Sequence, residues 1–182
     1  ALGSPTVAYL QSDPAQVSVS FGAVAVTNVQ TFSKVVEVKN TSASDITYNL
    51  SMVERYQPNA GLTFSLSVPS VTVPTGGTAQ FTVSVEVDAF ELVKAIDPTI
   101  ATGTRQRMSE GGGFVLFEST GSEPDLRVPV HIAARAATAM SVDETAVNLP
   151  APLTGTLELT PSGSDAPYYA SNVPFVAITE LM

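Results

Sequence analysis

The stretch Phe32 to Met52 limits the fold more than any other part of the chain. Phe32, Val36 and Val38 share one parity. After the turn Asn-Thr-Ser-Ala-Ser-Asp, Ile46, Tyr48, Leu50 and Met52 share one parity, with Thr47, Asn49 and Ser51 between them. Alternation with period two puts one set on a core face and the other in water. Two strands that are each apolar on one side must bury that side against a second sheet. The stretch therefore predicts a β-sandwich.

The rest of the chain repeats the pattern. Val17, Val19 and Phe21 alternate, then Val24 and Val26 alternate on the opposite parity. A flip at Gly22-Ala23 predicts a β-bulge or kink, a conformation that glycine accommodates. Leu62, Phe64, Leu66 and Val68 form another strand that Pro69 ends. Val71-Thr72-Val73 is a short strand closed by the turn Pro74-Thr75-Gly76-Gly77. Phe81, Val83, Val85 and Val87 alternate with hydroxyl and acidic residues. Asp88-Ala89-Phe90-Glu91 reads as a capping box and predicts a short helix from about Ala89 to Ile96, stopped by Pro98. Residues 99–113 read as an irregular insert. Phe114 to Ser119 and Leu126 to Ala134 are the last two strands of the sandwich.

About seven strands with turns every 8–12 residues is the immunoglobulin or fibronectin type III pattern. The expected fold is thus all-β: an immunoglobulin/fibronectin type III-like sandwich with one short helix in a long insert and a short β-rich C-terminal extension. Residues 1–16, small and polar with Pro5 and Pro14, read as a linker or trailing segment. Residues 17–137 read as the sandwich. Residues 138–182 hold one clear strand around Leu157 and read as either a hairpin on the first module or an incomplete second one.

Composition narrows the function classes. The chain of 182 residues carries 17 acidic and eight basic residues, a net charge of −9. Phosphate neutralisation needs a concentrated basic surface, so no nucleic-acid partner is expected. No run reaches the roughly 18 apolar residues of a membrane helix, so no membrane insertion is expected. There is no Cys, which removes thiol chemistry and Cys-based metal sites. Abundant Ser, Thr, Val and Ala with few charges fit a secreted module, extracellular or at the cell surface.

No catalytic constellation stands out, and the expectation is no catalytic residue, no metal site and no cofactor. His131 is the only histidine, on the strand parity of Arg127, opposite that of Val130 and Ile132. A single imidazole supplies neither a triad nor a zinc site, and it reads as a surface strand residue. Glu110-Gly111-Gly112-Gly113 lacks the Lys-Ser/Thr ending of a phosphate loop and is read as a flexible lead-in to a strand. Asp88, Glu91 and Asp97, and Glu118, Glu123 and Asp125, are scattered without a calcium-loop spacing. Asn40-Thr41-Ser42 and Asn49-Leu50-Ser51 are glycosylation sequons, without meaning in a bacterial protein. Lys94, Arg105 and Arg107 gather three of the eight basic residues in the insert. They read as an interdomain docking surface or as a solvated loop.

Four places resemble one family. They are Ser18-Val19-Ser20-Phe21-Gly22; Val36 to Ser42 with Ile46-Thr47-Tyr48; Val73 to Thr78; and Gly112 to Leu116 with Leu126-Arg127-Val128-Pro129-Val130. Together, over residues 17–137, they resemble the fibronectin type III-like module that follows the catalytic domain in secreted bacterial subtilisin-like serine proteases of the C5a-peptidase and minor extracellular protease groups. The Leu-Arg-Val-Pro stretch is the more telling part. The resemblance implies a non-catalytic accessory domain. Its partner would be the catalytic domain of the same polypeptide, which it packs on and stabilises, helping to position protein substrate or a cell-surface component. No catalytic residue of such proteases has a counterpart here. The alternative is a stand-alone cell-surface module, adhesive or binding carbohydrate or protein, that uses loops or an edge strand.

Overall fold

The computed structural model describes residues 3–55, 59–93, 109–142 and 159–163. Nine strands make two facing sheets. The first sheet runs in the order β1 (Thr6–Leu10), β3 (Val29–Asn40), β7 (Thr78–Asp88) and β5 (Leu62–Leu66). The second runs β2 (Val19–Val26), β9 (Leu126–Ala136), β8 (Ser109–Ser119), β4 (Ile46–Glu54) and β6 (Ser70–Val73). All neighbours are antiparallel except β2 and β9, which are parallel. The fold is an all-β, immunoglobulin-like sandwich. Beyond it, β10 (Thr138–Val142) and β11 (Leu159–Gly163) pair antiparallel as a sheet of their own.

The alternation of the sequence fills the space between the sheets. Val36, Val38, Tyr48, Val83, Val85, Phe117 and Ile132 are fully buried. Phe117 meets Tyr48 edge-on at 5.8 Å within its own sheet, and Phe81 of the opposite sheet at 5.6 Å. These edge-to-face contacts join the two sheets through aromatic rings in a core that has no tryptophan. The parity flip at Gly22 is a bulge: Ser20 faces His131, Gly22 faces Ile132, and Phe21 is the extra residue. Gly22 has φ +75°, a conformation that side chains rarely adopt.

Pro69 marks a crossing between sheets. Ser67 N–H still donates to Thr82 O on the first sheet (3.0 Å), while Pro69 O accepts from Leu50 N–H on the second (2.8 Å). The same crossing happens between β1 and β2, through a loop that Asp13 braces by accepting from Ala15 N–H and the Gln16 amide.

Three expectations are corrected. Residues 1–16 are not a linker throughout: Thr6–Leu10 is a strand on β3, with Leu10 facing Val36 and Thr6 facing Asn40. Its inward residues Thr6, Ala8 and Leu10 are buried. The pattern was hidden because only one of the three is strongly apolar, and the Thr6 hydroxyl is satisfied by the Tyr48 hydroxyl at 2.6 Å. The sandwich therefore begins at Thr6.

The helix over Ala89 to Ile96 is absent from its described part. Asp88 Oδ1 accepts from Phe90 N–H (2.9 Å) and Asp88 O from Glu91 N–H (3.2 Å), which closes one turn. Asn59 then takes over: its Oδ1 accepts from Val93 N–H (3.0 Å) and its Nδ2 donates to Val93 O (2.7 Å). A side chain thus claims the backbone groups that a helix would have used. Ala89 and Leu92 are buried, whereas Phe90 and Val93 are each 55 % exposed. Residues 94–96 lie outside the described residues.

The glycine run is not a flexible lead-in. Gly111, Gly112 and Gly113 are inside β8, between β4 and β9. A Cβ on Gly113 would collide with the carbonyl oxygen of Val53, and one on Gly112 with that of Val130. Gly112 and Gly113 are small because a neighbouring backbone approaches closely, and Gly111 because the Leu62 side chain fills the space.

Candidate functional site

β9 is central in its sheet along only part of its length. Toward β8 it is paired from Leu126 to Ala134. Toward β2 the pairing starts at Val130, opposite Val19, and runs to Ala136. Among the described residues no strand pairs with Leu126, Arg127 or Val128 on that side. β1 passes nearby but belongs to the opposite sheet.

The direction of the open backbone groups follows from parity. Ala137 N–H donates to Val26 O (2.8 Å), so odd-numbered positions of this stretch turn their backbone toward β2. Successive residues of a strand point their peptide groups to alternate sides. Arg127 therefore carries the unclaimed groups, one N–H and one carbonyl, while the Pro129 carbonyl serves the first rung to Val19. Pro129 has no N–H to offer, which is why proline is tolerated at a sheet edge.

The two sheets gape here. A cavity of about 670 Å³ opens between Thr6 and Ala8 on one wall and Leu126 and Val128 on the other, with Val17 at its end. Val7 and Val17, at 52 % and 59 % exposed, are two of the few large apolar side chains left in water, and both line it. An open edge beside exposed apolar side chains is what an added extended segment needs: main-chain groups for the ladder and pockets for alternate side chains.

Beside the edge lies the outer face of the same sheet. Pro129, Phe114 and Val53 stand in one row across β9, β8 and β4, and Arg127, Leu116 and Ser51 in the next. The Arg127 guanidinium lies 4.9 Å from the centre of the Phe114 ring and that of Arg55 lies 5.8 Å from it, each reaching along a diagonal. Arg55 is held there as its N–H donates to Gly112 O (3.0 Å). Such stacking is worth about 0.5–1 kcal/mol where exposed. It also gathers two flexible cations over one ring.

The opposite sheet has a different outer face. There the Tyr9 hydroxyl and the Gln80 amide both donate to the Glu37 carboxylate. The bond from Tyr9, then that from Gln80, holds Glu37 below the usual carboxylate range, and the same bond raises Tyr9.

The residues singled out in the sequence fare unevenly. Lys94, Arg105 and Arg107 lie outside the described residues. The insert that bears them leaves after Val93 and returns at Ser109, which is buried and faces Ala134. His131 is on the outer face of β9, half-buried, opposite Gly112. Among the described residues no three His, Asp or Glu gather as metal ligands. Asp125 Oδ1 instead accepts from Ser119 N–H (2.9 Å), and Asp88 caps its turn. Asn40 is fully buried: it donates to Ser44 O and Val73 O and accepts from Ser42 N–H. Of the two sequons only Asn49 is on the surface. Arg55 and Phe114 were missed in the sequence. Their signal was the run Phe114-Val115-Leu116-Phe117, which is apolar on both parities and so marks a strand covered on both faces.

No family model matches the chain, and no curated protein matches it. Among solved structures, the CooA pilin subunit of enterotoxigenic Escherichia coli is similar over 73 % of this chain and 99 % of its own, at 10 % identity and a TM-score of 0.46. The ASH / PapD-like domain 7 of human CEP192 is similar over 74 % of this chain and 87 % of its own, at 14 % identity and a TM-score of 0.45. A FixG-related protein of Vibrio parahaemolyticus follows at 57 % and 78 %, with 12 % identity and a TM-score of 0.37. These are distant likenesses of outline and carry nothing about activity or partner.

Proposed function

We propose that the chain is a non-catalytic binding module of an extracellular or envelope protein, which engages an extended polypeptide segment along the open edge of β9. The observation that carries this reading is the open edge at Leu126–Val128, beside a cavity lined by exposed valines. Main-chain pairing along an edge is a general mode of peptide recognition that needs no reactive side chain.

The finer reading is the accessory domain of a secreted subtilisin-like protease, packed on the catalytic domain of the same polypeptide. The open edge falls within Leu126-Arg127-Val128-Pro129-Val130, the more telling part of the resemblance to that family. This coincidence favours a neighbouring domain of the same polypeptide as occupant. Lys94, Arg105 and Arg107 would then face that neighbour from the insert. The alternative, a stand-alone surface module, uses the same edge for another protein.

The coding sequence upstream of Ala1 separates the two. An in-frame protease segment with Gly-Thr-Ser ahead of Ala1 is the expected result. A secretion signal directly ahead of Ala1 overturns the accessory reading. In the first case the catalytic domain, expressed alone, should gain thermal stability when this module is added in trans, and Arg127→Pro, which deletes the one open amide, should abolish the gain.

A further inference from the structure

The docking edge and the cationic face share Arg127. A strand laid against Leu126–Pro129 extends the pleat of the sheet. Its side chains opposite Leu126 and Val128, one before and one after the residue opposite Arg127, then enter the cavity, and those opposite Arg127 and Pro129 stand on the outer face.

That face is unusual for this protein. The chain has a net charge of −9, yet all three arginines among the described residues, Arg55, Arg127 and Arg135, project from it. The acidic residues of its β8 row, Glu110 and Glu118, stand toward the two ends of the strand, away from the row of Phe114. In the middle, the Arg127 and Arg55 guanidinium carbons lie over the Phe114 ring, 4.9 and 5.8 Å from its centre. A stacked guanidinium keeps a planar fork of donors free, which matches a carboxylate.

We propose that the segment docking on β9 is acidic and amphipathic: a carboxylate side chain opposite Arg127, an apolar side chain two residues away opposite Pro129, and small apolar side chains opposite Leu126 and Val128 that enter the cavity. The inference rests on the edge-docking reading above and adds the chemistry of its occupant. The placement of Arg127 on both edge and face, stacked on Phe114, carries it.

The test uses the full chain with a strand fused ahead of Ala1 through a Gly-Ser linker of about ten residues, long enough to reach the cavity wall near Ser4. One fusion bears Val-Glu-Val-Val and the other Val-Lys-Val-Val. Amide hydrogen exchange at Arg127 reads edge docking, and the difference between fusions reads charge preference. The expected result is slowed exchange with both, about tenfold slower with the Glu strand, as one charge-assisted hydrogen bond would give. In Arg127→Glu the order of the two fusions reverses. Equal protection by both, unchanged in Arg127→Glu, overturns the acidic preference while edge docking stands. No protection by either overturns the edge docking itself.

Discussion

The hydroxyls of Thr6 and Tyr48 meet at 2.6 Å inside the sandwich, 42 residues apart in sequence. Thr6 belongs to the first sheet and Tyr48 to the second, so this one bond crosses the core at the level of the open edge. Removing Thr6 takes this bond from the buried Tyr48 hydroxyl, at a cost of about 1–3 kcal/mol, whereas Thr6 also meets the Ser4 hydroxyl at 3.1 Å. Thr6→Val should lower the unfolding free energy by that amount in urea titration. Adding Tyr48→Phe should cost less than the sum of the two single changes. Strict additivity would show that the bond contributes nothing.

Asn40 should be more sensitive than its position in a turn suggests. It is fully buried, and its amide closes the β3–β4 turn and holds the Val73 carbonyl of β6 at 3.1 Å. Asn40→Ala should destabilise by about 2–3 kcal/mol, since buried groups lose their partners. Asn49→Ala, on the surface, should stay within about 0.5 kcal/mol. Equal effects in chemical denaturation would contradict the assignment.

Gly113 tests the packing of β8. The atom added in Gly113→Ala meets the backbone of Val53 and Glu54, which cannot swing aside as a side chain would. Overpacking of this kind costs about 1–3 kcal/mol or more. Thermal unfolding should fall by several degrees. Ala at Gly121, where the nearest atom is a serine hydroxyl at 4.0 Å, should do little.

The Tyr9–Glu37 pair gives a pH signature. Glu37 has a lowered pKa, so its contribution is present above the unfolded value and is lost as pH falls through the folded one. Tyr9 has a raised pKa, so its contribution is present below its unfolded value and is lost as pH rises through the folded one. In Tyr9→Phe the largest cause of the Glu37 shift is gone. Its titration, followed by carboxyl NMR, should move up toward the ordinary value of 4.5. A Glu37 titration that does not move would contradict the bond.

Much of the sandwich was legible in sequence because its core is built from strict alternation. Val36 and Val38, Ile46 to Leu50, Val83 to Val87 and Val128 to Ile132 are buried as their parity requires. β1 was illegible because Thr6 and Ala8 carry little apolar signal, and the Tyr48 hydroxyl that shelters Thr6 is far along the chain. The helix expectation failed because Asn59, a long-range partner, outcompetes a local capping pattern for the Val93 backbone. The site was hidden for a similar reason. That Leu126–Val128 lacks a neighbour depends on where β2 starts pairing, which the bulge region sets and no local pattern of β9 records. The Arg55–Phe114–Arg127 stack likewise joins three strands.

The central claim is that β9 offers an unclaimed edge at Arg127. Amide hydrogen exchange along β9 in the isolated chain tests it most directly. Arg127 N–H should exchange rapidly, while Ala133 and Arg135 N–H, on the same side but covered by β2, should be strongly protected. Protection of Arg127 equal to that of Ala133 would show the edge already covered and would contradict the account.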